Sequence, residues 1–196
     1  MAIQISGAIF LHIPKTGGTW IKHYFSDNNM IVREISYEHA NGEIIRDQID
    51  PTEDLIFCFV RHPLTWYLSY WQMRQNQGQS DREGGWIDTI IDLPFQSFIK
   101  SVIQEKPGYL SNFFNSYVSR CRAIGKQENL REDLNHILSL LHIPYDRQSL
   151  FTRSLVNTAP SNEKYSYNLA LELMKSEEEI IRRFNYLYIP LEVLDV

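Results

Sequence analysis

GAIFLHI, from Gly7 to Ile13, runs directly into PKTGGT, from Pro14 to Thr19, and this junction decides the fold. An almost unbroken apolar run of that length fits a central strand of a parallel sheet, buried on both faces. The two adjacent glycines permit a tight turn, and a helix over about Gly17 to Phe25 is expected to follow. LIFCFV, from Leu55 to Val60, repeats the pattern and ends in Arg61-His62-Pro63. Proline is favoured at the first position of a helix, so Pro63 predicts a second helix leaving a second buried strand. A strand–turn–helix unit used twice predicts an α/β layered domain with a central parallel sheet flanked by helices.

Reading outward, Met30 to Ile35 predicts a short strand and Gly42 to Gln48 a weak helix. Trp66, Tyr67, Tyr70, Trp71 and Met73 give the helix after Pro63 an aromatic surface, part of it packed on the sheet. Residues 75–94, QNQGQSDREGGWIDTIIDLP, are largely polar and carry glycines; they read as an insertion or lid. Pro94 to Gln104 predicts a helix with Phe95, Phe98, Ile99 and Val102 on one side. Asn129 to Glu132 reads as a capping box before a helix reaching Leu141, with Leu130, Leu134, Ile137, Leu138 and Leu141 as its apolar stripe. Tyr167 to Leu187 reads as one helix, its Glu177–Glu179 run being solvated charge.

The chain has 196 residues, 43% of them hydrophobic and 22% charged, which suits one domain spanning 1–196 and excludes wholesale disorder. Nineteen basic against 24 acidic residues leave a net charge of −5, which argues against nucleic acid as a partner. A local anion site survives that argument, because it needs only one or two cations and some helix-end amides. Cys58 and Cys121 have no metal-ligand spacing and form no disulfide framework. The N-terminus lacks the pattern of a secretory signal, and no apolar run approaches the ~20 residues of a membrane span. A soluble, cytoplasmic protein is expected; the oligomeric state is not legible.

The PKTGGT loop has the makings of an anion cradle. Backbone amides can line the turn, the next helix points its free N–H groups at the same spot, and Lys15 adds a full charge. Thr16 and Thr19 are expected to add hydroxyl donors; a plain structural turn is the alternative. The loop is not a nucleotidase loop, because its lysine precedes the glycines. Nor does LIFCFV end in an aspartate that could hold Mg²⁺. Without a suitably placed GxGxxG, hydride transfer is disfavoured as well.

HIPKTGGT (His12 to Thr19) together with VRHPLTWYLSYW (Val60 to Trp71) resembles the two nucleotide-binding signatures of sulfotransferases that use 3′-phosphoadenosine 5′-phosphosulfate (PAPS). The similarity is to their carbohydrate and membrane-associated branch, and IGKQENL (Ile124 to Leu130) resembles a later landmark of that family. The resemblance implies a P-loop-like three-layer domain. It implies that Pro14, Lys15, Thr16, Gly17, Gly18 and Thr19, with Trp20, wrap the 5′-phosphosulfate, Lys15 lying near the bridging oxygen. Arg61 and Ser69 match the pair that holds the 3′-phosphate, and Asn157 and Lys164 fall in or after a late loop near the nucleotide. Trp66 stands where many relatives carry a second arginine.

The implied reaction moves a sulfuryl group from PAPS to a hydroxyl or amine of a carbohydrate or small-molecule acceptor, leaving 3′-phosphoadenosine 5′-phosphate (PAP), without a metal. Lys15 would stabilise charge on the leaving oxygen. The expected base is His39, in SYEHAN after the Met30–Ile35 strand, since a neutral imidazole suits proton abstraction near pH 7. Glu38, Glu43 and His62 are the alternatives. Trp66 to Trp71, Trp86 and the 75–94 stretch are candidates for acceptor recognition. Two other readings stay open: a P-loop phosphotransferase or kinase, and a non-catalytic nucleotide-binding protein.

Overall fold

The computed structural model describes residues 2–35, 55–76, 85–154 and 161–195. In chain order these begin with β1 (Ala2–Ile5), β2 (Ala8–Leu11), α1 (Gly18–Asp27), β3 (Ile31–Glu34) and β4 (Leu55–Val60). There follow α2 (Pro63–Asn76), α3 (Trp86–Thr89), α4 (Phe95–Glu105), α5 (Tyr109–Val118), β5 (Ala123–Lys126) and α6 (Leu130–Leu140). α7 (Arg147–Thr152), α8 (Tyr167–Ser176) and α9 (Glu178–Arg183) complete the list. The predicted helix over Gly42 to Gln48 lies outside the described residues. The chain divides into two compact units, one of Met1–Arg61 with Phe114–Thr158, the other of His62–Phe113 with Ala159–Val196.

The first unit is a mixed α/β layer around a five-stranded sheet of order β3-β1-β2-β4-β5. The expectation of a central parallel sheet holds in part. β2–β4 and β4–β5 pair in parallel, but β1 pairs antiparallel with both β2 and β3. The reason is local. Gly7, read as the first residue of a long strand, has φ of 77° and sits in a turn, so Ile5 pairs with Ala8 across a tight hairpin. The two strong strand predictions survive as β2 and β4, and both are buried along nearly their whole length.

One face of this sheet carries the main core of the unit. Phe10, Phe57 and Phe59 stand on it, and Phe10 lies 5.4 Å from Phe57 and 6.1 Å from Phe25 of α1 between ring centroids. Trp20, Ile21 and Tyr24 of α1 join Leu130, Leu134, Ile137 and Leu138 of α6 over those rings. Each large side chain so buried contributes roughly 1.5–3 kcal/mol relative to exposure. The apolar stripe predicted for α6 is the stripe observed, Leu141 lying at the edge of the same cluster. Its capping box is not formed. The Asn129 side chain makes no cap bond, a 3₁₀ turn over Gln127–Asn129 precedes the helix, and the Asp133 carboxylate accepts from the Lys126 N–H at 2.6 Å.

In the second unit α2, α4 and α8 supply the core, with Leu64, Tyr67, Phe95, Phe98, Ile99, Val102, Leu169 and Leu173 fully or almost fully buried. The single helix expected over Tyr167 to Leu187 is broken, α8 ending at Ser176 and α9 starting at Glu178. Glu177 at the break is buried, which corrects its reading as solvated charge. Its carboxylate accepts from the Tyr67 hydroxyl (2.7 Å), the Leu110 and Ser111 N–H groups (3.0 and 2.8 Å) and the Ser111 hydroxyl (2.7 Å). It thereby satisfies donors of the first turn of α5, where a negative charge also suits the helix dipole. Of the stretch read as a lid, 75–76 belong to α2, while Ile87, Asp88 and Ile91 are buried in this unit. Asp88 accepts from the Tyr70 hydroxyl at 2.9 Å and pairs with Arg74 at 3.2 Å. Residues 77–84 lie outside the described residues.

Candidate anion-binding site

The loop after β2 turns through Pro14 to Gly17 and enters α1 at Gly18. Lys15 and Gly17 have positive φ, 64° and 87°, and Thr16 between them does not. Alternation of this kind turns successive backbone N–H groups toward one side, the geometry of an anion-binding concavity. A left-handed backbone is easy for glycine and costs lysine roughly 1 kcal/mol, so Lys15 is held in a conformation it would not choose. The helix's own bonds start with the N–H groups of Trp20 and Ile21, both donating to Gly17 O at 3.0 and 3.2 Å. The Gly18 and Thr19 amides therefore precede the helical ladder and point out of its N-terminus. No acidic residue occupies the first turn of α1, so its positive end is not neutralised from within the helix.

Close packing against a side chain disfavours anything larger than glycine at position 18. A Cβ on Gly18 would stand 1.9 Å from Cδ2 and 2.3 Å from Nε2 of His12. His12 is buried, with its ring stacked 6.1 Å from that of Phe10. It acts as a wedge beneath the loop.

Arg61, at the end of β4, lies on the neighbouring parallel strand and reaches back to the same loop. Its Nη1 donates to the Lys15 carbonyl at 3.1 Å. The first unit thus gathers two of the predicted site cations, Lys15 and Arg61, at the C-terminal edge of β2 and β4, where open α/β sheets commonly take their ligands.

The other predicted residues fare differently. Thr16 is buried and its hydroxyl donates to Ile13 O at 2.9 Å, so that hydrogen is spent inside the loop; Thr19 is exposed on α1. The Trp20 side chain belongs to the core: its indole N–H donates to Ser154 O at 2.9 Å and its ring stacks on Tyr24. Ser69 is half-buried on α2 in the second unit. The Lys164 ammonium, also in the second unit, donates to the Glu192 carbonyl. His39, Glu38, Glu43 and Asn157 lie outside the described residues.

His62, an alternative base, is buried with both ring nitrogens engaged. Nδ1 accepts from the Leu64 N–H at 3.2 Å, which leaves Nε2 as the donor to Tyr188 O at 2.9 Å. An imidazole held in that tautomer has no lone pair to offer a substrate proton. Trp66 is buried and stacked 4.9 Å from Tyr70, which makes it core rather than acceptor wall. Trp86 is half-buried, with the Lys106 ammonium 5.0 Å above its ring.

Sequence reasoning missed the neighbours of Gly17. A Cβ there would meet Leu130 Cδ1 at 3.0 Å and Gln127 Cγ at 3.5 Å, so the junction of β5 with α6 abuts the loop. The available signal was the position of IGKQENL at a strand end. Among the described residues no group of three or more His, Cys, Asp or Glu could hold a metal, and no helix is long and apolar enough to cross a membrane. Comparisons with family models, with curated proteins and with solved structures find no match.

Proposed function

We propose that this chain is a PAPS-dependent sulfotransferase of P-loop-like three-layer architecture. It transfers the sulfuryl group to a hydroxyl or amine of a carbohydrate or small-molecule acceptor, without a metal, in the cytoplasm. The observation that supports this reading is the loop from Lys15 to Gly17, whose alternating backbone, following helix end and tie to Arg61 suit a multiply charged anion. The motif resemblance of His12–Thr19 and Val60–Trp71 selects sulfuryl over phosphoryl transfer, and β4 is followed by Arg61 rather than by a metal-binding aspartate.

When bound, the donor supplies an electrophilic sulfur attached to a phosphate leaving group. Lys15 neutralises negative charge held at the loop, and the Gly18 and Thr19 amides share that task through fixed dipoles that need no rearrangement. Arg61 holds the loop through the Lys15 carbonyl. His39 removes the acceptor proton.

Calorimetric titration with PAP in EDTA, beside ATP with Mg²⁺, tests the reading. Tight binding of PAP alone is expected; ATP·Mg²⁺ binding without PAP binding would replace this reading with phosphoryl transfer. For the chemistry, His39→Ala should lower kcat by roughly 10²–10⁴-fold, the usual contribution of a general base, while PAP affinity is unchanged. Undiminished turnover would remove His39 from the mechanism.

A further inference from the structure

Building on the anion-site reading above, the geometry points to Gln127 as a further contact residue of the loop, its carboxamide donating to the ligand oxygen that sits nearest Gly17. Three neighbouring parallel strands, β2, β4 and β5, end at one edge of the sheet. Their exits are Lys15, Arg61 and the Lys126–Gln127 step, and Val60 stands directly opposite Lys126 in the pairing. Gln127 is half-buried, and its Cγ lies 3.5 Å from the space a side chain on Gly17 would fill. Glycine at 17 therefore does two things: it permits the left-handed turn and leaves room for the stem of Gln127.

The segment that carries Gln127 is held at both ends. The Lys126 N–H is fixed by the Asp133 carboxylate at 2.6 Å, and Leu130 is buried in the core cluster that includes Phe57 and Phe59. Between them the 3₁₀ turn presents Gln127 to the loop from a defined position. The chemistry also calls for a donor there. The Thr16 hydroxyl, which the loop's composition offers to an anion, gives its hydrogen to Ile13 instead. A carboxamide supplies a neutral N–H₂ donor at a site that already has two cations, and it adds direction without adding charge.

A charge series at this one position tests the inference. Wild type, Gln127→Ala, Gln127→Glu and Gln127→Lys are titrated at low salt with PAP and, separately, with inorganic pyrophosphate, and their thermal unfolding is followed by circular dichroism. Loss of one neutral hydrogen bond in Gln127→Ala should weaken binding about five-fold. Gln127→Glu should weaken it about ten-fold or more, and Gln127→Lys should tighten it, because like and unlike charges beside an anion act in opposite directions. Glu and Lys act through net charge on an anion anywhere near the loop, so the Ala variant decides: undiminished affinity of Gln127→Ala for both probes overturns the inference while leaving the donor-site reading intact. If Gln127→Ala weakens pyrophosphate binding but PAP does not bind, the inference stands and the sulfotransferase reading falls. If wild type binds neither probe, both fall.

Discussion

Gly18→Ala sets two known effects against each other at the point where β2 hands over to α1. Gly18 has ordinary helical backbone, so helix propensity alone favours alanine by up to about 1 kcal/mol. Sterics oppose it: the new methyl would lie 1.9 Å from Cδ2, 2.3 Å from Nε2 and 2.5 Å from Cγ of His12. Ordinary contact starts near 3.5 Å, so the ring must retreat by more than an ångström. It is 4% exposed and stacked on Phe10, and it has little space to retreat into. Overpacking of a closed site costs roughly 1–3 kcal/mol, and a collision this deep belongs at the upper end, so the net loss should be about 2 kcal/mol. Urea unfolding followed by circular dichroism should show the midpoint fall with the slope unchanged. The decisive control is the same change in a His12→Ala background, where the obstacle is gone and alanine at 18 should become neutral or stabilising. The two residues should therefore couple by about 2–3 kcal/mol in a double-mutant cycle. Equal stability of Gly18→Ala and wild type, or an equal loss in both backgrounds, would refute the idea that His12 wedges the loop.

Three further outcomes follow from the same geometry. Lys15→Gly should leave stability within about 0.5 kcal/mol of wild type, since relief of the left-handed backbone offsets the entropy glycine brings to the unfolded chain. PAP affinity should nevertheless fall at least ten-fold by calorimetry, and retained affinity would remove the lysine from the site. Glu177→Gln replaces one acceptor oxygen by a donor that faces groups already donating, and should cost roughly 2–4 kcal/mol in urea unfolding; a change below about 0.5 kcal/mol would show that the buried carboxylate is dispensable. At alkaline pH, burial, reinforced by the Asp146 charge, pushes the Tyr24 hydroxyl up to about 12. Burial also raises Tyr67, beside Glu177, and Tyr70 well above the ordinary value. Each folded pKa lies above its unfolded value near 10, so the stability these groups contribute is whole below pH 10 and is lost progressively as the pH climbs above it, up to about 12 for Tyr24 and further for Tyr67 and Tyr70. Ultraviolet titration should show late-ionising tyrosines coupled to unfolding, and full, reversible ionisation of all 11 tyrosines by pH 11 in the native state would contradict it.

Much of the fold was legible because apolar patterning is a local signal. LIFCFV has enough consecutive apolar residues to be read as a buried strand, and Phe95, Phe98, Ile99 and Val102 at helical spacing are all buried in α4. The anion loop was legible for a similar reason, since Lys15, Gly17 and Gly18 are contiguous. The direction of β1 was not. AIQI is only four residues long, and strand direction is a property of the pair rather than of either partner. The role of Gln127 was hidden as well, because it depends on β5 lying beside β4, and its partner in the loop is 110 positions away in the chain.

The sequence by itself therefore determined what is written in neighbouring residues: two buried strands, the helices that leave them, and a glycine turn charged by Lys15. Only the tertiary structure decided what those residues meet. It spent the Thr16 hydroxyl inside the loop, placed His12 under Gly18 and locked His62 between Leu64 and Tyr188. It also buried Glu177 among Tyr67, Leu110 and Ser111 in place of the solvated charge its EEE run suggested. The physical reason is that a polar group's fate is set by its hydrogen-bond partners. Those of Glu177 lie 66 to 110 residues away, beyond the reach of any pattern read along the chain.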